Sequence, residues 1–282
     1  MRIRATVAAV SGALALSAFV VPGAHAADVP SFAKPDAASR FDASTKSAFA
    51  TAADEPTISN VTVNGGKDIV LGTTTTKTIT VSLTATHASG IEDAYIDLWH
   101  GTDVETDIDG LLVPNEDAAT CTAASATTST CKLTITVDPQ LDLYANSLAG
   151  TWHVTAAALA TDGSMYWNDY YKTARVQRYS KLTVNAGPEP VSKGATLTAT
   201  GKLSRANWED HLYHGYTNQP VKLQFRKAGT STYTTVKTVY SDSTGNLKAT
   251  TTANYDGYWR FSFAGTTTTP AVSATGDYVD VR

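Results

Sequence analysis

From Glu55 to Arg282 apolar residues recur at every second position, in short runs broken by Gly, Pro, Asn and Asp. In "KTITVSLTAT" (77–86), Ile79, Val81, Leu83 and Ala85 fall on one side and Thr and Ser on the other. That is the period of a strand with one buried face. "TISNVTV" (57–63) gives Ile58, Val61 and Val63 as its inward set, and "EDAYIDLWH" (92–100), "CKLTITVDP" (131–139), "GTWHVTAAAL" (150–159) and "YYKTARVQRY" (170–179) follow. A second set opens near Ser180 with "ATLTATGKL", "PVKLQFRKAG" (220–229), "YTTVKTVY" (233–240), "NLKATTTA" (246–253), "GYWRFSFAG" (257–265) and "GDYVDVR" (276–282). Turn signals at this spacing predict an all-β chain of two consecutive antiparallel β-sandwiches, 55–179 and 180–282.

The pattern ahead of Glu55 is different. Arg2 and Arg4 precede the apolar run "VAAVSGALALSAFVV", which ends at Pro22-Gly23 and the small residues around Ala26. This predicts a secretory signal peptide over 1–26, since the run is shorter than the roughly 20 residues a membrane span needs. Residues 27–54 mix Ala, Ser and charges without strand alternation and predict a disordered spacer, with a short helix over 43–53 as the alternative. Outside the cell, Cys121 and Cys131 are expected to form a disulfide.

The second block also resembles a known family. "PEPVSKGATLTATGKL", "QPVKLQFRKAG", "DSTGNLKATTTA" and "DGYWRFSFAG" are similar to the bacterial immunoglobulin-like domains of secreted actinobacterial proteins. "AGTWHVTAAALATDG" in the first block resembles them less specifically. The resemblance implies an immunoglobulin-like sandwich in an extracellular setting, working as a spacer, adhesion module or partner of other proteins, without shared catalytic machinery.

Charge divides the chain. Residues 55–180 hold fifteen acids against six Lys or Arg, and residues 181–282 hold seven against eleven. Within the first block, Glu92–Asp117 carries nine carboxylates and no Lys or Arg. Carboxylates this dense repel one another unless water, salt or a cation relieves them, so an ion of some kind is expected nearby. "ETDIDGLLVPNE" sharpens that expectation toward calcium. Glu105, Asp107, Asp109, Gly110, Leu111 and Glu116 fall at positions 1, 3, 5, 6, 7 and 12 of the calcium-loop template, with the Leu111 carbonyl as a ligand. Val113 and Pro114 depart from it, and the flank "DAYIDLWHG" reads as a strand. Calcium binding and a solvated acidic loop both remain open readings.

Two aromatic clusters are candidate ligand-binding surfaces for an extracellular protein or a glycan: Tyr166, Trp167, Tyr170 and Tyr171, and Trp208, Tyr213 and Tyr216. The first has as its structural alternative a hairpin packed across the two domains, the second a loop folded over the sandwich edge. His211 and His214 with Asp210 lack the further ligands that zinc needs. No basic stripe interleaves with aromatics, which speaks against nucleic acid. Nucleophile elbow, His-Glu-x-x-His, phosphate loop and dinucleotide fingerprint are all missing, which disfavours an enzyme. A hydrolase using an unassigned carboxylate pair is the remaining catalytic alternative. The expectation is an exported, monomeric, non-spanning, non-catalytic tandem.

Overall fold

The computed structural model describes residues 34–41 and 55–282. The expected signal peptide over 1–26 and the alternative helix over 43–53 lie outside these residues.

In chain order the first sandwich contains β1 (Thr57–Val63), β2 (Ile69–Leu71), β3 (Lys77–Thr86), β4 (Ile91–Asp103) and β5 (Asp107–Leu112). It continues with β6 (Thr120–Ala123), β7 (Thr128–Val137), β8 (Gly150–Ala160) and β9 (Met165–Arg178). One sheet runs β1-β3-β7-β6 and the other β2-β9-β8-β4-β5. All of these pairs are antiparallel except β2 with β9. This strand order is the immunoglobulin-like one, legible from topology alone.

The alternation in β3 is realised: Ile79, Val81, Leu83 and Ala85 are each 2% exposed or less. Burying an aliphatic side chain of this kind contributes about 1.5–3 kcal/mol. In β1 the inward residues are three apart, at Ile58 and Val61, which a plain strand could not place on one face. A register shift between Ser59 and Thr62, with Asn60 at φ 52°, re-phases the strand. Cys121 and Cys131 stand directly opposite on β6 and β7 and form the disulfide. Closing that short loop contributes roughly 2.5–3 kcal/mol through the unfolded state.

The second sandwich repeats the plan with β10 (Ser180–Leu182), β11 (Asn185–Gly187), β12 (Thr196–Ala206), β13 (Tyr213–Gly215) and β14 (Pro220–Lys227). After these come β15 (Thr234–Tyr240), β16 (Asn246–Thr252), β17 (Gly257–Phe263), β18 (Val272–Ser273) and β19 (Asp277–Val279). β12 pairs with β10, β11, β13 and β16, and the facing sheet runs β15-β14-β17-β18, with β19 also on β17. Leu197, Leu223, Phe261 and Val279 are fully buried between the layers.

The two sandwiches are bolted together. Trp208 belongs in sequence to the second, yet it is fully buried in the core of the first. Its indole N–H donates to the Gly72 carbonyl at 2.9 Å, and its backbone N–H to Asn146 Oδ1 at 3.0 Å. Beside it the buried Arg178 Nε donates to the Ala206 carbonyl at 2.6 Å. Burial in this joint, helped by Arg205, pulls the Arg178 guanidinium down to about 10.

Candidate functional site

Ala94 to Trp99 on β4 are six consecutive buried residues. Ala94, Ile96 and Leu98 belong to the main core. Tyr95, Asp97 and Trp99 therefore project to the opposite, outer face of the sheet. An outer face normally meets water; this one is covered by residues 34–41.

The cover is a short stretch of chain with two anchors. Asp36 and Ser39 cap each other, Ser39 N–H donating to Asp36 Oδ1 at 2.7 Å and Asp36 N–H to Ser39 Oγ at 3.0 Å. That reciprocal arrangement starts the single helical turn α1 (Ala37–Phe41). The turn delivers Phe41 into a small second core with Tyr95, Ala157 and Leu159, edge-on to Trp167 at 6.0 Å. At the other end sits Lys34.

Lys34 is the centre of the site. Its ammonium donates to Asp169, lies 3.3 Å from Asp97 Oδ2, and stands 5.0 Å from the Trp167 ring centroid. The Lys34 side chain is 5% exposed and that of Asp97 is 0% exposed. The Tyr95 hydroxyl donates to Asp97 Oδ2 at 3.0 Å. Thr155 Oγ1 and Trp167 Nε1 donate to Asp169 Oδ1 at 3.2 and 3.0 Å. Tyr95 stacks on Trp167 at 5.4 Å and 15°. Burial raises the Asp97 carboxyl above its ordinary value, and Lys34 is the strongest influence opposing that rise. Asp97 Oδ1 has no hydrogen-bond partner among the described residues.

A bulge builds the acid half of this seat. Across β8 and β9 the register jumps from Val154–Lys172 to Ala156–Asn168, so Asp169, Tyr170 and Tyr171 all answer to Thr155. The bulge brings the Asp169 carboxylate beside Thr155 and lets its carbonyl accept from Trp99 Nε1 at 2.9 Å.

These contacts correct the expectation of an unstructured spacer, as far as 34–41 goes. The physical reason is charge: the acid-rich stretch with no base of its own draws its cations from upstream. Lys34 serves Asp97, and Arg40 pairs with Asp93 at 3.0 Å.

The calcium-template residues, by contrast, are not gathered. Asp107 opens β5 opposite Asp103, and Leu111 pairs with Trp99 within the ladder. The hairpin is extended, so residues two apart along it are about 6.6 Å apart, and the backbone does not wrap a common centre. Asp107 accepts from Thr102, Asp109 contacts His100 Nδ1 at 2.5 Å, and Glu116 accepts from Thr134 N–H at 2.8 Å and Oγ1 at 2.6 Å. Glu105 lies in the hairpin turn, where its N–H donates to Asp103. Gly110 is required for closeness rather than a turn, since a Cβ there would stand 2.7 Å from Trp152 Cη2. Among the described residues no group of three or more His, Cys, Asp or Glu is placed to hold a metal ion. The residues do not fit calcium as the template expected.

The aromatic clusters separate as well. Tyr171 turns inward, its hydroxyl donating to the Ile58 carbonyl at 3.0 Å. The Tyr166 hydroxyl accepts from Asn168 at 3.2 Å. Tyr170 is 47% exposed and meets Trp99 edge-on at 5.0 Å, while Trp167 lies under the cover. All four lie on β9 of the first sandwich. In the other cluster Trp208 is the interdomain bolt and offers no ring to a ligand. Tyr213 packs on the first core beneath Lys181, and Tyr216 carries Arg205 at 3.8 Å. His214 pairs with Asp210 at 2.5 Å.

Sequence reasoning missed Lys34, Arg40, Phe41, Tyr95, Asp97 and Asp169. The available signal was "YIDLW", an acid embedded in a run apolar on both faces, which requires a buried cation nearby.

A family described as a family of unknown function, DUF5707, matches residues 71–158, the stretch from the end of β2 to near the end of β8. No curated protein matches. Among solved structures, the D00-D0 domain of intimin is similar at 16% identity, covering 78% of this chain and 99% of that one, with a TM-score of 0.25. Latent PorU from Porphyromonas gingivalis is similar at 12% identity, covering 80% of this chain and 20% of that one, with a TM-score of 0.27. DIP-gamma IG1+IG2 is similar at 13% identity, covering 81% of this chain and 98% of that one, with a TM-score of 0.21. The immunoglobulin-like fold is defined by the strand order of the two facing sheets, β1-β3-β7-β6 and β2-β9-β8-β4-β5.

Proposed function

We propose that the chain is an exported, non-catalytic recognition protein. Its first sandwich binds a basic peptide segment of an extracellular protein along the outer face of β4, β8 and β9. The observation that carries this reading is the seating of Lys34 between Asp97, Asp169 and Trp167, where an ammonium group is withdrawn from water. Residues 34–41 are the resident occupant of that groove.

The groove exceeds its occupant. A recess of about 330 Å³, reached by Glu105 and Ile108, flanks Lys34 on one side. Another of about 650 Å³, bordered by Glu116 and Asp117, lies along Arg40 and Tyr95. Acidic borders suit a longer cationic peptide. Export is supported by the character of residues 1–26 and by the disulfide. The two locked sandwiches then serve as a stiff mount for the face.

The test uses the mature chain carrying Lys34→Glu, which repels its own segment from the seat. A synthetic peptide of residues 31–42 is titrated calorimetrically. Binding is expected, at least tenfold weaker when the peptide's lysine is replaced by methionine. Equal affinity for both peptides contradicts the reading.

A further inference from the structure

The second sandwich has a recess of its own, in which the Lys34 seat takes no part. Among the described residues β15 pairs only with β14, and β16 only with β12. Between these open edges lies a recess of about 500 Å³, walled by Phe225, Tyr255 and Trp259. Thr251, Thr252 and Asn254 add two hydroxyls and an amide to its lining. Phe225 and Trp259 stand opposite each other on β14 and β17, with ring centroids 4.6 Å apart. Tyr255 is 54% exposed and carries the Lys227 ammonium 4.6 Å from its ring centroid.

One atom of this lining lacks a partner. Trp259 is 4% exposed, and its buried Nε1–H has no acceptor among the described residues. A donor withdrawn from water without a partner costs free energy that an incoming acceptor recovers. We infer that the recess binds an oligosaccharide of N-acetylated hexosamine units with equatorial substituents, an acetamido carbonyl accepting from Trp259 Nε1–H. Such pyranoses present flat C–H faces that stack on aromatic rings, which the walls supply. The acetamido group joins a carbonyl acceptor to a methyl, and so matches an orphan N–H set among rings. The lining hydroxyls and amide suit the remaining sugar hydroxyls. An extended peptide also offers carbonyls, but Lys237 Nζ reaches across from β15 to the Thr250 carbonyl of β16 at 2.7 Å. That crossbar occupies part of the edge where a strand would add. Because the Trp259 nitrogen is shielded from water, seating the sugar includes a rotamer change of the exposed Tyr255.

The experiment titrates the full isotope-labelled chain with triacetylchitotriose and follows its indole N–H resonances by NMR. Two further probes are cellotriose, which has the same skeleton with a hydroxyl in place of each acetamido group, and acetyl-trialanine amide. Triacetylchitotriose is expected to bind at least tenfold tighter than either, and to move the indole resonance that Trp259→Phe removes. Tyr255→Ala, at an exposed position, should weaken its binding at least fivefold. Trp259→Phe should reduce its advantage over cellotriose to less than threefold. Lys34→Glu should leave its affinity unchanged, which keeps this site separate from the peptide seat. The inference is overturned by failure of triacetylchitotriose to bind, or by cellotriose or the peptide binding as tightly. Binding that leaves the Trp259 resonance in place overturns it too.

Discussion

Lys34 and Asp97 meet at 3.3 Å across the first sandwich's outer face, the first 5% and the second 0% exposed in their side chains. Two charges this far from water are costly apart and tolerable only together. The pair therefore ties the docking of residues 34–41 to the order of β4, and it sets most of what can be measured.

Removing one partner should cost more than removing both. Lys34→Met leaves Asp97 uncompensated, a change of roughly 3–5 kcal/mol if the face stays closed and less if the segment lets go. Asp97→Asn in the same chain should recover part of the loss. A double-mutant cycle by urea unfolding is expected to give a coupling of about 1–3 kcal/mol between the two sites.

The cost of Lys34→Met should depend on pH. Asp97 is raised above its ordinary value by burial, so at a pH between the unfolded and the folded value the folded chain holds more of this proton than the unfolded chain does. Its favourable contribution is present below the unfolded value and is lost as pH rises through the folded one. Without the ammonium the carboxyl rises further, which widens the window of loss. The variant's deficit against the parent chain should be larger at pH 7.5 than at pH 4.5. A deficit independent of pH speaks against a charged partnership.

Trp208 should decide whether the chain melts as one body. Trp208→Ala empties a fully buried site at the joint and is expected to cost about 3–5 kcal/mol. Calorimetry should then resolve two transitions in place of one. Trp208→Phe keeps most of the volume, loses the hydrogen bond to Gly72, and should cost about 1 kcal/mol with a single transition retained.

Calcium should leave stability unchanged. Asp107, Asp109 and Glu116 already have partners along an extended hairpin and its neighbours. The melting temperature in millimolar calcium should equal that in EDTA, and Asp107→Asn should not create a difference. A chelator-sensitive melting curve contradicts this geometry.

Much of the fold was legible because burial repeats with the strand period. Ile79, Val81, Leu83 and Ala85 declare β3 on sight, and the cysteine spacing suited the staple between β6 and β7. The site was harder to read for reasons specific to its residues. Asp169 reaches the seat through a bulge in β9, and periodicity carries no signal for where an extra residue is inserted. Lys34 lies among Ala and Ser in a stretch with no apolar period, so nothing local marks it as a partner of Asp97. Gly110 matched a turn template for a reason unrelated to turning, since it makes room for Trp152. Trp208 looked like a loop aromatic because its burial comes from the neighbouring sandwich. The acid-rich stretch reads as a place for a bound ion, whereas two of its acids, Asp97 and Asp93, pair with the chain's own Lys34 and Arg40.

Amine accessibility tests the central relationship most directly. The chain is labelled briefly with an acylating reagent and the modification of each lysine is followed by mass spectrometry. The docked segment predicts that Lys34 reacts at least tenfold more slowly than the exposed Lys222, and that Asp97→Asn combined with Asp169→Asn releases it to react at the same pace. Lys34 reacting as fast as Lys222 in the unaltered chain would place its ammonium in water and contradict the account.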